Sequence, residues 1–289
     1  MTKTNILLAL ALLCAGAFTC KTYAANEQAP SKNLGLSLEV GADVVSSYLW
    51  RGQNLGGISI QPSVTLNWRG LYASGWASIG ADNWTFEELS PELDITIGYD
   101  NYGVQLDLTH LYYFDEEAYF PKGGFQPNLS PDSASSSMEA HVGFHLGDLV
   151  EKVPLSLDWY TTIYGGDCYF SETTGEWQRA WSTYVQVGYA FELPLGIMLN
   201  TNVGFTPWRG YYSNYEEVWT NAKTVAINNI HLRAERYFEL KSVELGVWGE
   251  CMLNCYGIDK TNVTTELSNK FDQRFNWSIG ACLYLSSEW

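Results

Sequence analysis

Any chemistry in this chain would have to come mainly from carboxylates. Glu39, Asp43, Glu92, Asp94, Asp107, Glu139, Asp158, Glu244 and Glu250 sit on the polar positions of alternating apolar–polar runs, and alternate positions of a strand share one face. Carboxylates ringing a narrow, low-dielectric bore concentrate cations and repel anions. Bases on the same phasing are few: Arg233 is the clearest, and Arg51 stands at the mouth. Arg51 lies between Trp50 and Gly52, and its guanidinium can fork across two carboxylates and fix a loop against a wall. Two plainer readings stay open. Charges face water wherever strands are wet, and Arg51 taken alone is equally an exposed turn arginine.

Enzymatic chemistry finds little support. The four histidines are His110, His141, His145 and His231. His141 and His145 face the same way, but on an extended strand they lie roughly 13 Å apart, too far to share a metal. Glu139 and His141 are closer, at about 7 Å, with no third ligand in view. No serine sits in a Gly-flanked nucleophile elbow. His110 falls on an apolar row near its loop end, where a lipid-facing reaction could be served. The reading is therefore no catalytic residue, no metal and no cofactor, with a lipid- or peptide-hydrolysing enzyme as the least favoured alternative.

The elements that must position these residues begin after the N-terminus. Lys3, the thirteen apolar-rich residues Ile6 to Phe18, and Thr22-Tyr23-Ala24 follow the order of a secretory signal peptide, with cleavage expected after Ala24. The expected organisation is a signal peptide over 1–24, a short periplasmic segment over 25–34 and one domain over 35–289. Cleavage would leave 14 basic against 32 acidic side chains, a net charge of −18. So few bases on so acidic a chain exclude nucleic acid as a partner. With 12 Trp, 19 Tyr and 12 Phe the chain is not a disordered one. Four cysteines would remain, Cys168, Cys251, Cys255 and Cys282. They read as small apolar fillers, with a loop bridge between Cys168 and Cys255 as an alternative.

Period-two alternation recurs twelve times along the expected mature chain. Leu36, Leu38, Val40 and Val44 alternate with Ser37, Glu39 and Asp43, and Trp277, Ile279, Leu283 and Leu285 mark the last row. The tenth run changes phase between Val225-Ile227 and Ile230-Leu232, which predicts a bulge at Asn228-Asn229. Short links fall at Arg69-Gly70, Asp100-Asn101, Gly147 to Pro154, around Pro194 and around Leu240. The intervening links are long, apart from Arg51 to Gly57. Tight turns at one end and long polar loops at the other describe an all-β, transmembrane antiparallel up-and-down barrel. Trp68, Tyr99, Phe191 and Trp289 end apolar rows at the short-turn side, as an aromatic girdle would. Twelve strands place both chain ends in the periplasm, and closure removes the edges that hydrocarbon would penalise.

The segment Ser46 to Ser78, SSYLWRGQNLGGISIQPSVTLNWRGLYASGWAS, resembles the opening of the TorF-type porins. The likeness lies in the Ser-x-Tyr-x-Trp-Arg-Gly stretch, the Ile-Gln-Pro strand and the Gly-containing Trp strand that follows. It implies an outer-membrane pore and leaves the solute unnamed.

The expected function is a Gram-negative outer-membrane channel for passive diffusion of small hydrophilic solutes, embedded in outer-membrane lipid and mildly cation-preferring. Its expected pore lining is Glu39, Asp43, Arg51, Asp94, Asp107, Glu139, Asp158, Arg233, Glu244 and Glu250. Twelve strands lie between barrels filled by side chains and those with free water. Tyr160, Tyr184, Trp248 and Tyr284 would narrow the bore further. A non-conducting barrel that binds partners or serves as scaffold is the alternative, with Tyr-rich acidic loops at 114–125 and 211–219 as its contact surfaces.

Overall fold

The computed structural model describes residues 35–80, 91–113, 136–150, 152–165, 167–171, 173–208, 210, 212, 225–255 and 275–288. The expected signal peptide, the 25–34 segment, Trp289 and nearly all of both Tyr-rich loops lie outside them. In chain order the strands are β1 (Leu36–Val45), β2 (Tyr48–Trp50), β3 (Gln53–Gly56), β4 (Ser59–Trp68), β5 (Leu71–Gly80), β6 (Pro91–Asn101), β7 (Val104–Tyr113), β8 (Ser136–His145), β9 (Leu155–Gly165), β10 (Cys168–Ser171), β11 (Glu176–Arg179), β12 (Thr183–Leu193), β13 (Ile197–Thr206), β14 (Ala226–Leu240), β15 (Val243–Asn254) and β16 (Phe275–Glu288). Twelve of them close into one antiparallel barrel, in the order β1-β16-β15-β14-β13-β12-β9-β8-β7-β6-β5-β4. The last strand pairs with the first, Val40 opposite Leu285, so the ring has no free edge. The twelve alternating runs are these twelve strands.

The remaining four strands were not foreseen. β2–β3 and β10–β11 form separate two-stranded ribbons on the long-loop rim. The turn after β6 also falls two residues later than expected, at Tyr102-Gly103 rather than Asp100-Asn101. Tyr102 and Gly103 both take positive φ, as do Arg69-Gly70 and Arg51-Gly52. Hairpin turns whose twist matches the strands need that conformation twice in succession, and glycine supplies the second position without strain. At the short-turn rim, neighbouring hairpins are tied by Asp100 N–H to Gly70 C=O at 2.8 Å and His145 N–H to Gly103 C=O at 2.8 Å.

The expected bulge is present. Gly204 pairs with Asn229 and Phe205 with Ile227, which leaves Asn228 as the extra residue. A second register shift, between Met138 and Glu139, leaves Ile163 of β9 over. The β4–β5 ladder skips Gln61 and Pro62, where proline has no N–H to give.

Burial is inverted relative to a soluble barrel. Ile97, Ile279 and Trp277 are about 60% exposed on the outer face, whereas Glu92, Asp94, Glu139 and Asp158 are enclosed. The inner wall is thinned by glycines lying under aromatic rings of adjacent strands. Gly41 faces Tyr284, Gly98 faces Tyr72, and Gly280 faces Trp248. A Cβ on Gly41 would lie 2.0 Å from a Tyr284 ring carbon. The ring therefore needs glycine there to reach Asp43, to which its hydroxyl donates at 2.6 Å.

Gly41→Ala should cost about 1–3 kcal/mol, the usual range for overpacking, while Gly56→Ala, with nothing within 4 Å of its new carbon, should be neutral. Urea unfolding midpoints in detergent micelles separate the two. Equal midpoints would remove the packing role assigned to the glycine.

Candidate functional site

The tripeptide Trp50-Arg51-Gly52 is the tip of the β2–β3 ribbon, which springs from the rim between β1 and β4 and turns into the barrel. Arg51 has φ 45° and Gly52 φ 91°. Gly52 N–H donates to Met252 Sδ of β15 at 3.0 Å, and a Cβ there would press on Asn229 at 3.3 Å. Glycine is thus required twice over, by the turn and by the close approach. At the base of the ribbon, Ser47 N–H donates to Ser278 Oγ at 3.1 Å.

From that tip the guanidinium spans the bore. Its Nη1 and Nη2 donate to the two oxygens of Glu139 on β8, at 2.5 and 2.7 Å. Its carbon lies 3.9 Å from the Tyr160 ring centre on β9 and 4.9 Å from that of Tyr184 on β12. In the ring order, β9 and β12 stand opposite the β1–β4 seam from which the ribbon starts. Trp50 and Tyr212 complete the surround, at 4.6 and 5.2 Å. Cations held over aromatic faces within about 6 Å are attracted by the ring quadrupole. Burial alone would make the guanidinium give up its proton more easily. The Glu139 carboxylate outweighs that and, with Tyr212 and Tyr160, holds the Arg51 pKa well above its ordinary value.

This corrects two expectations about Arg51. It forks onto one carboxylate rather than two, because both ends of its planar fork are taken by Glu139 and its third contact is the Tyr212 hydroxyl at 2.5 Å. It also lies inside the barrel rather than at the mouth, since its side chain and that of Glu139 are each only 10% exposed. Tyr212 lies outside every strand pattern, and the sequence marks it only as part of the Tyr-rich loop at 211–219, expected to face partners and not the bore. The Asn228 bulge holds it, because the Asn228 side-chain amide donates to the Tyr212 carbonyl. Next to it, Tyr184 Oη donates to Asn229 Oδ1 at 2.9 Å.

A second cluster lies against the same rings. His141 stacks on Tyr160 at 4.1 Å with planes 6° apart. Its Nδ1 is 2.8 Å from Asp107 and its Nε2 is 3.1 Å from Asp158 Oδ1. His145 Nε2 reaches the same Asp158 oxygen at 3.1 Å. The two histidines thus converge, against the expectation drawn from strand spacing. Asp158 lies opposite Gly143, midway between them, where a Cβ would sit 3.0 Å from Asp158 Oδ1 and 3.2 Å from a His141 ring carbon. Among the described residues no group of three or more His, Cys, Asp or Glu is arranged to hold a metal ion.

The remaining expected lining residues also point inward, in smaller groups. On the far wall Arg233 donates to Glu235 at 2.9 Å, lies 3.7 Å from Glu250 and covers the Trp248 ring at 4.2 Å. Glu235 was missed, although it shares the inward row of Arg233; it is 2% exposed and accepts from Asn200 at 2.5 Å. Glu39 and Glu244 lie within electrostatic reach of one another. Asp94 is 5% exposed and one of its carboxylate oxygens has no hydrogen-bond partner. Of the expected girdle, Trp68 and Phe191 are exposed on the outer face and Tyr99 is half-exposed beside Gly70. Cys168, Cys251, Cys255 and Cys282 are free thiols, so the alternative of a Cys168–Cys255 bridge is not realised.

No family model matches the chain, and no curated protein matches it. Among solved structures, the chain is similar to OmpF of Salmonella typhi in complex with daunomycin, with a TM-score of 0.36 and 9% identity over 87% of this chain and 97% of that one. It is also similar to an outer membrane channel from Pseudomonas putida F1, with a TM-score of 0.41 and 12% identity over 90% of this chain and 100% of that one.

Glu139→Ala leaves the Arg51 guanidinium enclosed without its carboxylate, which should cost about 3–5 kcal/mol. Glu139→Gln, which keeps one acceptor, should cost less, and Glu192→Ala at an exposed position should cost nothing measurable. Unfolding midpoints of the three variants check the order. No difference between Glu139→Ala and Glu192→Ala would show that the fork does not hold the ribbon.

Proposed function

We propose that this chain is an outer-membrane channel of the porin type, through which small hydrophilic solutes diffuse passively. The observation that carries this reading is the inverted burial: carboxylates, amides and hydroxyls line the enclosed side of a closed ring, while its outer face is oily. A closed strand ring satisfies every backbone group sideways, which a bilayer core requires. Lipid would cover the rows that include Ile60, Ile97, Trp277 and Ile279, and Trp68, Tyr99 and Phe191 would mark the interface near the short turns. The similarity of Ser46 to Ser78 to TorF-type porins supports the same assignment, and the residues carrying it build the ribbon that enters the bore.

Within this reading the ribbon is the constriction. Acidic side chains outnumber basic ones along the wall, and those near the bore, such as Glu39, Asp43, Glu244 and Glu250, would favour cations. One observation favours a second reading: Arg51 enters the barrel and is paired with Glu139 on β8, so a barrel closed at rest that serves as scaffold or binding protein has support too.

Purified protein in planar bilayers under a salt gradient should give a reversal potential of cation-preferring sign, reduced in Glu39→Gln/Glu244→Gln. Replacing Tyr48–Gly56 by a short Gly-Ser link should raise single-channel conductance and speed liposome swelling in neutral sugars. Anion preference at neutral pH would overturn the assigned selectivity. Absence of conductance with the ribbon removed would favour the scaffold.

A further inference from the structure

Arg51 occupies a box whose three tyrosines each have a further contact besides Arg51. Tyr160 is fixed by stacking on His141, Tyr184 by its bond to Asn229, and Tyr212 by the Asn228 amide. The Tyr184 and Tyr212 rings meet at 5.6 Å and the Tyr160 and Tyr184 rings at 6.2 Å. Glu139 forms the floor and also accepts from Tyr212 Oη at 2.5 Å. The box therefore presents three aromatic faces and one carboxylate, with the carboxylate aligned for a planar, two-pronged donor. That is the recognition chemistry of a guanidinium group.

The occupant reaches the box on an element of its own, tied to the wall by Gly52 N–H to Met252 Sδ and Ser47 N–H to Ser278 Oγ. It is carried by a ribbon that forms its own two-stranded sheet and joins no barrel ladder. Isolated two-stranded ribbons are marginal in water.

We propose that the Tyr160–Tyr184–Tyr212–Glu139 box is a binding site for guanidinium-bearing organic cations, and that Arg51 is its tethered occupant. A free guanidinium solute reaching the bore competes with Arg51 for the same carboxylate and rings. Displacing Arg51 frees the ribbon tip. The site takes its ligand through the lumen and so rests on the channel reading for access, while its existence is tested by binding alone.

The test uses full-length Arg51→Ala in detergent with methylguanidinium chloride as probe, at constant ionic strength balanced with sodium chloride. Saturable stabilisation against heat is expected in the millimolar range, and it should be at least tenfold weaker in Arg51→Ala/Glu139→Gln and in Arg51→Ala/Tyr160→Leu. Wild-type protein, whose box is filled, should respond far less. If Arg51→Ala folds poorly without the probe, methylguanidinium should restore its refolding yield, read as heat-modifiable migration on gels. No saturable effect on either stability or refolding, or equal rescue by sodium or methylammonium, would overturn the site. Binding without any bilayer conductance would remove the pathway and leave the box, and conductance without binding would do the reverse.

Discussion

A ribbon with oil on one face and charge on the other has two obligations. Its backbone amides must all find partners within the sheet, and its charges must all find partners or water on the enclosed side. Ring closure meets the first: β1 is bonded to both β4 and β16, so no barrel strand ends in an unpaired row. The second is harder, because several of the inward carboxylates, Glu92, Asp94, Glu139, Asp158 and Glu235, are almost fully enclosed. Most of the molecule's interior can be understood as answers to that problem.

Three answers recur on the inner wall. Carboxylates share a cationic or neutral nitrogen donor, as Asp107 and Asp158 share His141, and as Glu235 and Glu250 share Arg233. Tyrosine hydroxyls donate to carboxylates while their rings lie over glycine on the next strand, as Tyr284 does to Asp43 and Tyr72 does to Asp107. And one carboxylate, Glu139, receives its countercharge from outside the wall, on a ribbon sent in from the rim. Burying an ion pair gains little by itself, but removing one partner of a buried pair is strongly unfavourable. The sequence cost of the third answer is therefore a specific tripeptide, with glycine fixed by the turn and arginine by its target.

How much of this can be read from the chain depends on the range of the interaction. The twelve barrel strands, the residues that share a face and the bulge at Asn228 follow from period-two alternation, because slipping by one residue would exchange the oily and charged faces; which face is inward takes the signal peptide, the sorting of loops and the aromatic girdle as well. The turn after β6 is missed by two residues because Tyr102 shows no turn preference, and only its positive φ beside Gly103 reveals the hairpin. The convergence of His141 and His145 is hidden because strand spacing locates Cα atoms and not ring nitrogens. The missing side chain at Gly143 leaves room for the Asp158 carboxylate and the His141 ring. Tyr212 is invisible for a different reason: it enters the site from a loop, through a bond to a bulged residue far away in sequence. Arg51 is the intermediate case, visible as an unusual residue between Trp50 and Gly52 yet without any local sign of which carboxylate it meets.

The bulge ties these levels together. An extra residue in β14 bends the strand and re-aims its side chains, so that Asn228 and Asn229 hold Tyr212 and Tyr184. The same backbone passes beside Gly52, where any Cβ would meet Asn229 and the Asn228 carbonyl. One irregularity in the ladder thus fixes two of the rings around the guanidinium and leaves room for the glycine that follows it. A regular β14 continuing the row of Asn229, Arg233 and Glu235 would turn Asn228 to the opposite face, and Tyr212 would lose its anchor. The placement of Arg51 is for that reason a property of the wall as much as of the ribbon that carries it.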